Sequence, residues 1–297
     1  MRFSSSAFAR QLLMGAVYAG VFFFALYMYF QAGSDRTSFF QSAKECLLEK
    51  VATIDNLGTL WHNFPYYVNQ CSAKSRLPML SFANNDEYKF HIMPTSNMGN
   101  SRDCTIVSLG IGKDIEAEKA MQTAMPNCQF WGADPVNDTN ADIFPEVGTF
   151  YHIAVGGSNG TFRSYVLEDI YRYQEVKYVD IATFLRNFVR RPVIDQIMID
   201  IEHAEYAVLP FLLKTGQLAQ DNIVICQMNI EVHRPDPEQL KVFFDFFRTL
   251  MKEDEWTFMK ASSIIGHHRL FMINHGNEEC HNRYIAGIYD RKDHLTE

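Results

Sequence analysis

Cationic charge is in short supply in this sequence. Lys and Arg number 27 against 35 Asp and Glu, a formal net charge of -8. A chain that neutralises a phosphate backbone needs a basic footprint, so no nucleic-acid partner is expected. None of the six cysteines forms a CxxC pair, which argues against a structural zinc site and a thioredoxin-type motif. Glycine (16) and proline (10) are too few for a collagenous or low-complexity chain. Heptads and repeats of about 20–50 residues are also missing, so coiled coils and solenoids fall away. What is present is a chain 47% hydrophobic with 24 Phe and 14 Tyr, enough apolar surface for a large aromatic-rich core.

Residues 12–30 (LLMGAVYAGVFFFALYMYF) carry no charge over 19 positions, close to the ~20 residues that a helix needs to span a bilayer. Arg2 and Arg10 precede this run without an acidic residue between them, so the positive-inside bias keeps the short N-terminus cytosolic. The run is longer than a signal-peptide core, and Phe30-Gln31-Ala32 offers no small-x-small cleavage site. The expectation is a retained signal anchor, a single-pass type II membrane protein whose bulk faces the Golgi or ER lumen. Two sequons, at Asn137 and Asn159, fit that topology as glycosylation sites in turn-rich stretches. The cysteine number permits disulfides in an oxidising lumen. Cys226, inside the apolar run 223–226, reads as a buried free thiol, which leaves five with open connectivity.

The domain reading is a cytosolic tail (1–11), the anchor (12–30), a stem with an irregular N-terminal subdomain (31–100), an α/β domain (101–275) and a C-terminal tail (276–297). From Cys104 onward short apolar strands alternate with amphipathic segments, the pattern of a parallel α/β sheet. Strands are expected at 105–109, 129–132, 151–155, 196–201, 223–232, 257–262 and 268–273, and helices at 115–125, 181–189, 204–213 and 237–251. Only Ile265-Gly266-His267 separates the last two strands in tight form, which predicts an antiparallel hairpin at one edge. The expected fold is a Rossmann-like, doubly wound and mostly parallel sheet with an antiparallel C-terminal hairpin, preceded by the transmembrane helix.

Ligands of such sheets bind at the carboxyl ends of the strands. After the first strand come Gly110, Ile111 and Gly112, and the glycines let a cofactor approach the backbone. A dinucleotide fingerprint wants a third small residue where Ile115 stands, so NAD is disfavoured. The second strand ends in Asp134-Pro135, with Asp134 22 residues beyond Gly112, near the ~20 expected for an acid that receives ribose hydroxyls. An adenosine-type cofactor follows. Asp200 and Glu202 end the fourth strand, and Glu231 and His233 the fifth. A carboxylate ending a buried strand is costly unless paired or placed in a cleft, so Asp200 and His233 are read as cleft residues. Glu205 is read as a helix N-terminal charge.

The stretches Val179-Asp180-Ile181-Ala182-Thr183-Phe184-Leu185 and 194–205 (IDQIMIDIEHAE) resemble the FkbM-type methyltransferase family. The similarity covers about residues 104–275, and the Asp-Ile-Glu-x-Ala-Glu block is its most specific part. The resemblance implies a Rossmann-like fold and S-adenosylmethionine as cofactor, held at Gly110, Ile111, Gly112, Asp134 and Pro135. It also implies methylation of a hydroxyl, with a glycan or small molecule as acceptor. This chain has Ser108 where the family usually has an acid, Asp114 and His203 where it has glycine, and Met198 where it has lysine. Methyl transfer to a hydroxyl needs alignment and a proton acceptor, which makes Asp200, His233 and Glu202 the candidate catalytic residues. No metal site is expected on this reading. The alternatives are a lumenal type II glycosyltransferase, holding a metal-bound sugar nucleotide on Asp200 and Glu202, and a non-catalytic scaffold.

Overall fold

The computed structural model describes residues 22–23, 39–95, 104–167 and 170–288. Apart from Phe22 and Phe23, the expected anchor at 12–30 lies outside the described residues. Among the described residues no helix is long and apolar enough to cross a membrane.

The segment expected to be irregular is instead folded onto the sheet. Its elements are α1 (39–52), α2 (Leu57–Ser72) and a hairpin of β1 (Met79–Ala83) and β2 (Tyr88–Ile92). Asn56 caps α2 by accepting from the Thr59 amide at 2.8 Å. Phe64 of α2 is fully buried, with the rings of Phe243, Phe244, Phe247 and Phe258 around it in edge-on contact. Pro65 and several polar residues interrupt the apolar period of α2, which hid this helix in the sequence.

The α/β domain begins with β3 (Cys104–Leu109), α3 (Glu116–Ala124), β4 (Cys128–Asp134) and β5 (Thr149–His152). A three-stranded insertion follows: β6 (Ala154–Gly156), β7 (Gly160–Leu167) and β8 (Tyr171–Asp180). The chain returns through β9 (Val193–Ile194), β10 (Gln196–Ile199), β11 (Val224–Ile225) and β12 (Gln227–Val232). It ends with α4 (Pro237–Glu253), β13 (Trp256–Ile264), β14 (His267–Asn274) and α5 (Glu278–Tyr284). Asp236 and Gln239 close a capping box at the start of α4, a device worth about 1 kcal/mol.

The main sheet has the order β13-β14-β12-β10-β3-β4-β5. Its pairings are parallel except those made by β14, which runs against β12 and β13. Both faces are covered. Val107 and Leu109 of β3 face the core with α2 and α4, whereas Cys104 and Ile106 face the core with α3, the alternation that a doubly wound sheet imposes on its strands. From β3 the chain moves outward to β5, then returns to β10 and moves out the other way. The switch point therefore lies between β3 and β10, which pair in register from Gln196↔Ile106 to Ile199↔Leu109.

Three expectations are corrected. The strand predicted at 151–155 breaks at Ile153, so that β5 ends the main sheet and β6 starts the insertion. The run at 223–232 divides at Cys226, which is no free thiol but is bonded to Cys280. The other pairs are Cys46–Cys71 and Cys104–Cys128, leaving no free cysteine among the described residues. The C-terminal tail is docked as far as residue 288. Asp195, fully buried, accepts from Tyr284 Oη at 2.6 Å and Arg283 at 2.8 Å.

Candidate active site

The loop after β3 is shaped by its first glycine. Gly110 has φ 79°, and a Cβ there would stand 1.7 Å from the Asp200 carbonyl oxygen. Only glycine lets the end of β10 approach this closely, with the Asp200 amide donating to Leu109 O at 2.8 Å. Gly112 has φ 64° with open space around it.

Asp134 reaches this loop, but its carboxylate is already engaged. Oδ2 accepts from the amides of Ile111 (2.7 Å) and Gly112 (3.3 Å), and Oδ1 accepts from Val136 (2.7 Å). Asn140 accepts from the Lys113 amide at 2.9 Å. Asp134 thus clasps the loop as well as standing on the cavity wall, and burial raises its pKa against these hydrogen bonds. The amides that a phosphate-binding loop would present to an anion are satisfied within the protein.

A cavity of about 310 Å³ opens beside the loop. Seven carboxylates line it: Asp86 and Glu87 of the β1–β2 hairpin, Asp114 and Glu118 at the start of α3, Asp134, and Asp200 with Glu202 after β10. Among the described residues, Lys89 of β2 is the one Lys or Arg lining it. Leu109, Ile111, Val136, Val166 and Met198 add apolar wall. Such a lining favours a ligand carrying positive charge and disfavours a pyrophosphate.

Asp200 and Glu202 face this cavity, and His233 stands behind them at the end of β12. His233 is 5% exposed. Its Nδ1 lies 3.0 Å from Glu205 Oε1, and its Nε2 lies 3.3 Å from Glu202 Oε2 and 3.7 Å from Asp200 Oδ1. Tyr206 donates its hydroxyl to the His233 carbonyl. Glu205, expected only as a helix charge, is fully buried and also accepts from the Ile201 amide at 2.9 Å. Glu202 and His203 both adopt left-handed φ, 52° and 72°. The turn that delivers the acids is therefore strained, as functional turns often are, and a glycine at position 203 would adopt it without strain.

The protonation states follow from this packing. Burial, with help from Glu231 and Glu205, pushes the Asp200 carboxyl up to about 7 against the opposing pull of Lys89 and His233. Burial works against a charged His233, but the hydrogen bonds to Glu202 and Glu205 and the charge of Asp200 raise it to about 11. His233 is thus an imidazolium at neutral pH, clamped between carboxylates. Sequence reasoning could not divide the proton-accepting role between these two residues.

Two residues went unnoticed in the sequence. His267 packs its ring against His233 at 4.7 Å, and Arg269 pairs with Glu231 at 2.6 Å and Asp86 at 2.6 Å, tying the hairpin to β12. The groups Glu231–His233–His267 and Asp200–Glu205–His233 have spacings that a cation could use. In this structure Glu231 is committed to Arg269, and both nitrogens of His233 face carboxylates. The sequons differ as well. Asn137 is exposed, whereas Asn159, although exposed, has its side-chain amide bonded to Asp180 through both atoms.

The strand order and the glycine loop define a Rossmann-like α/β domain with a ligand-sized acidic cavity at its switch point. The model of the methyltransferase FkbM domain matches residues 50–260. The chain belongs to that family. The uncharacterized protein C28H8.7 of Caenorhabditis elegans is 23% identical over 105 residues, 35% of this chain and 36% of that protein. The match thus spans about a third of that relative's length. Among solved structures, the human methyltransferase 10 domain containing protein aligns at 7% identity over 72% of this chain and 82% of its own, with a TM-score of 0.31. The plantazolicin methyltransferase BpumL in complex with SAH aligns at 10% identity over 84% and 99%, with a TM-score of 0.28.

Proposed function

We propose that this protein methylates a hydroxyl of a glycan or small molecule in the lumen of the secretory pathway. The observation that carries the reading is Asp200, a carboxyl poised near neutrality on the cavity wall beside the glycine loop, with the His233 imidazolium behind it. The cofactor fits this chain's residues. Gly110 and Gly112 open the backbone, Asp134 and Asn140 hold the loop amides so that no phosphate is needed, and the acidic lining suits a positive charge. When bound, S-adenosylmethionine supplies an electrophilic methyl group on a positively charged sulfur.

Asp200 accepts the acceptor's hydroxyl proton as the oxygen gains its methyl group, a role matched by a pKa close to ambient pH. Glu202 orients the acceptor from the same turn. His233 acts as a positioning residue, its charge holding Asp200 and Glu202 together and keeping Asp200 ionised near pH 7. The carboxylate-rich wall weighs against an anionic sugar nucleotide and hence against the glycosyltransferase reading.

The lumenal placement is supported by three disulfides, which persist in oxidising compartments, and by the exposed sequon at Asn137. The proposed anchor is residues 12–30. Incubating the purified protein with radiolabelled S-adenosylmethionine and candidate glycan acceptors tests the reaction, and label transferred to oxygen is the expected result. Label on nitrogen or carbon would refute it.

A further inference from the structure

Glu118 is 5% exposed. Its Oε1 accepts from Ser108 Oγ at 2.7 Å, whereas Oε2, buried on the cavity side of α3, has no hydrogen-bond partner. Buried Asp134 takes three amides, and buried Asp195 takes Thr105 N, Arg283 and Tyr284. Glu205 Oε2 also lacks a partner, but Glu205 does not line the cavity, whereas Glu118 does. A carboxylate oxygen buried without a donor carries a desolvation penalty, so Glu118 stands as an acceptor awaiting a donor. Lys89 is 6% exposed, pairs with Glu87, and feels the charges of Glu118 and Asp200. One of its three N–H groups is engaged by that pair. Both residues line the cavity close to the glycine loop, beside Met198, which pairs in register with Ser108.

We propose that Glu118 and Lys89 form a cradle for the amino-acid end of the methyl donor, Glu118 taking its α-ammonium and Lys89 its α-carboxylate. The assignment rests on the methyl-donor reading above. It makes the β1–β2 hairpin, which lies outside the main sheet, part of the cofactor site. The hairpin is held there by the Asn85 amide on Asp114 (2.9 Å), by the Ala117 amide on Asn84 (3.1 Å) and by Arg269 on Asp86.

The test is calorimetric titration of the purified full chain with S-adenosylhomocysteine and with 5′-methylthioadenosine, which lacks the amino-acid end. The wild type should bind the former at least tenfold more tightly. Glu118→Gln, which keeps the bond to Ser108, should weaken S-adenosylhomocysteine about 10- to 100-fold, the scale of a hydrogen bond to a charged group. It should leave 5′-methylthioadenosine within about twofold. Lys89→Met should behave alike, and its retained 5′-methylthioadenosine binding reports an intact fold. Unchanged S-adenosylhomocysteine affinity in Glu118→Gln, or equal loss of both ligands, overturns the cradle. A wild type that binds neither ligand overturns the methyl-donor reading itself.

Discussion

Glu205 Oε1 lies 3.0 Å from His233 Nδ1, and this contact between a fully buried acid and a buried ring turns Nε2 toward Asp200 and Glu202. Glu205, which does not line the cavity, thus joins Glu202 and Asp200 in holding the charge at the back of the site. Because the imidazolium favours the ionised form of Asp200, removing it as His233→Gln should raise the pH at which activity is half-maximal. Activity of the wild type should rise with pH through about 7, as Asp200 loses its proton. A pH–rate profile of both forms checks this, and a variant with an unshifted midpoint would separate His233 from the base.

Asp200→Asn keeps the shape of the turn and removes the proton acceptor. Turnover of a working hydroxyl acceptor should fall about 10²- to 10⁴-fold, the usual contribution of a positioned base. Affinity for S-adenosylhomocysteine should change little. A large loss of that affinity would move Asp200 into the cofactor's own contacts.

The two glycines of the loop should respond differently. Gly110→Ala places a methyl group against the Asp200 carbonyl and forces a left-handed backbone on alanine. It should cost more than about 2 kcal/mol and abolish cofactor binding. Gly112→Ala meets open space and should cost only about 1 kcal/mol, the backbone penalty. Denaturant unfolding of both variants measures the difference.

His91 gives a pH signature of stability. It is fully buried against Gln196, and burial pushes its imidazole down to about 4 despite that hydrogen bond. The unfolded chain takes up a proton below about 6.5, whereas the folded chain does not until about 4. Stability should therefore fall as the pH drops through that window, by on the order of 3 kcal/mol from this residue. His91→Asn retains a donor toward Gln196 and should show a flatter dependence between pH 6.5 and 4.

The sequence carried the α/β core legibly, because parallel strands buried on both faces are apolar runs and β3, β4, β10, β13 and β14 fall within a few residues of their expected limits. It carried less of the surroundings. The helix α2 has proline and polar residues within its period, and the insertion β6–β8 alternates without a strong apolar signal. Gly110, Asp134, Asp200, Glu202 and His233 lie at or just beyond the carboxyl ends of β3, β4, β10 and β12, the positions that the rule of strand ends singles out in a sequence. Their division of labour was not legible, because it depends on groups distant in sequence: Glu205 behind His233, Arg269 on Glu231, Lys89 from the hairpin. Cys226 was misread because an apolar run describes burial equally well for a thiol and for a disulfide. With its partners 54 positions apart in sequence, that bridge should contribute about 4 kcal/mol, and Cys226→Ser should lower the unfolding midpoint accordingly.

The most direct measurement of the central claim is a thermal-shift and calorimetric comparison of S-adenosylmethionine with a uridine diphosphate sugar on the purified chain. The loop amides are satisfied internally and the cavity is acidic, so S-adenosylmethionine should bind one to one. At about 100 times its Kd it should stabilise the fold by about 2.7 kcal/mol, and the sugar nucleotide should do nothing. Stabilisation by the sugar nucleotide with no response to S-adenosylmethionine would contradict the account.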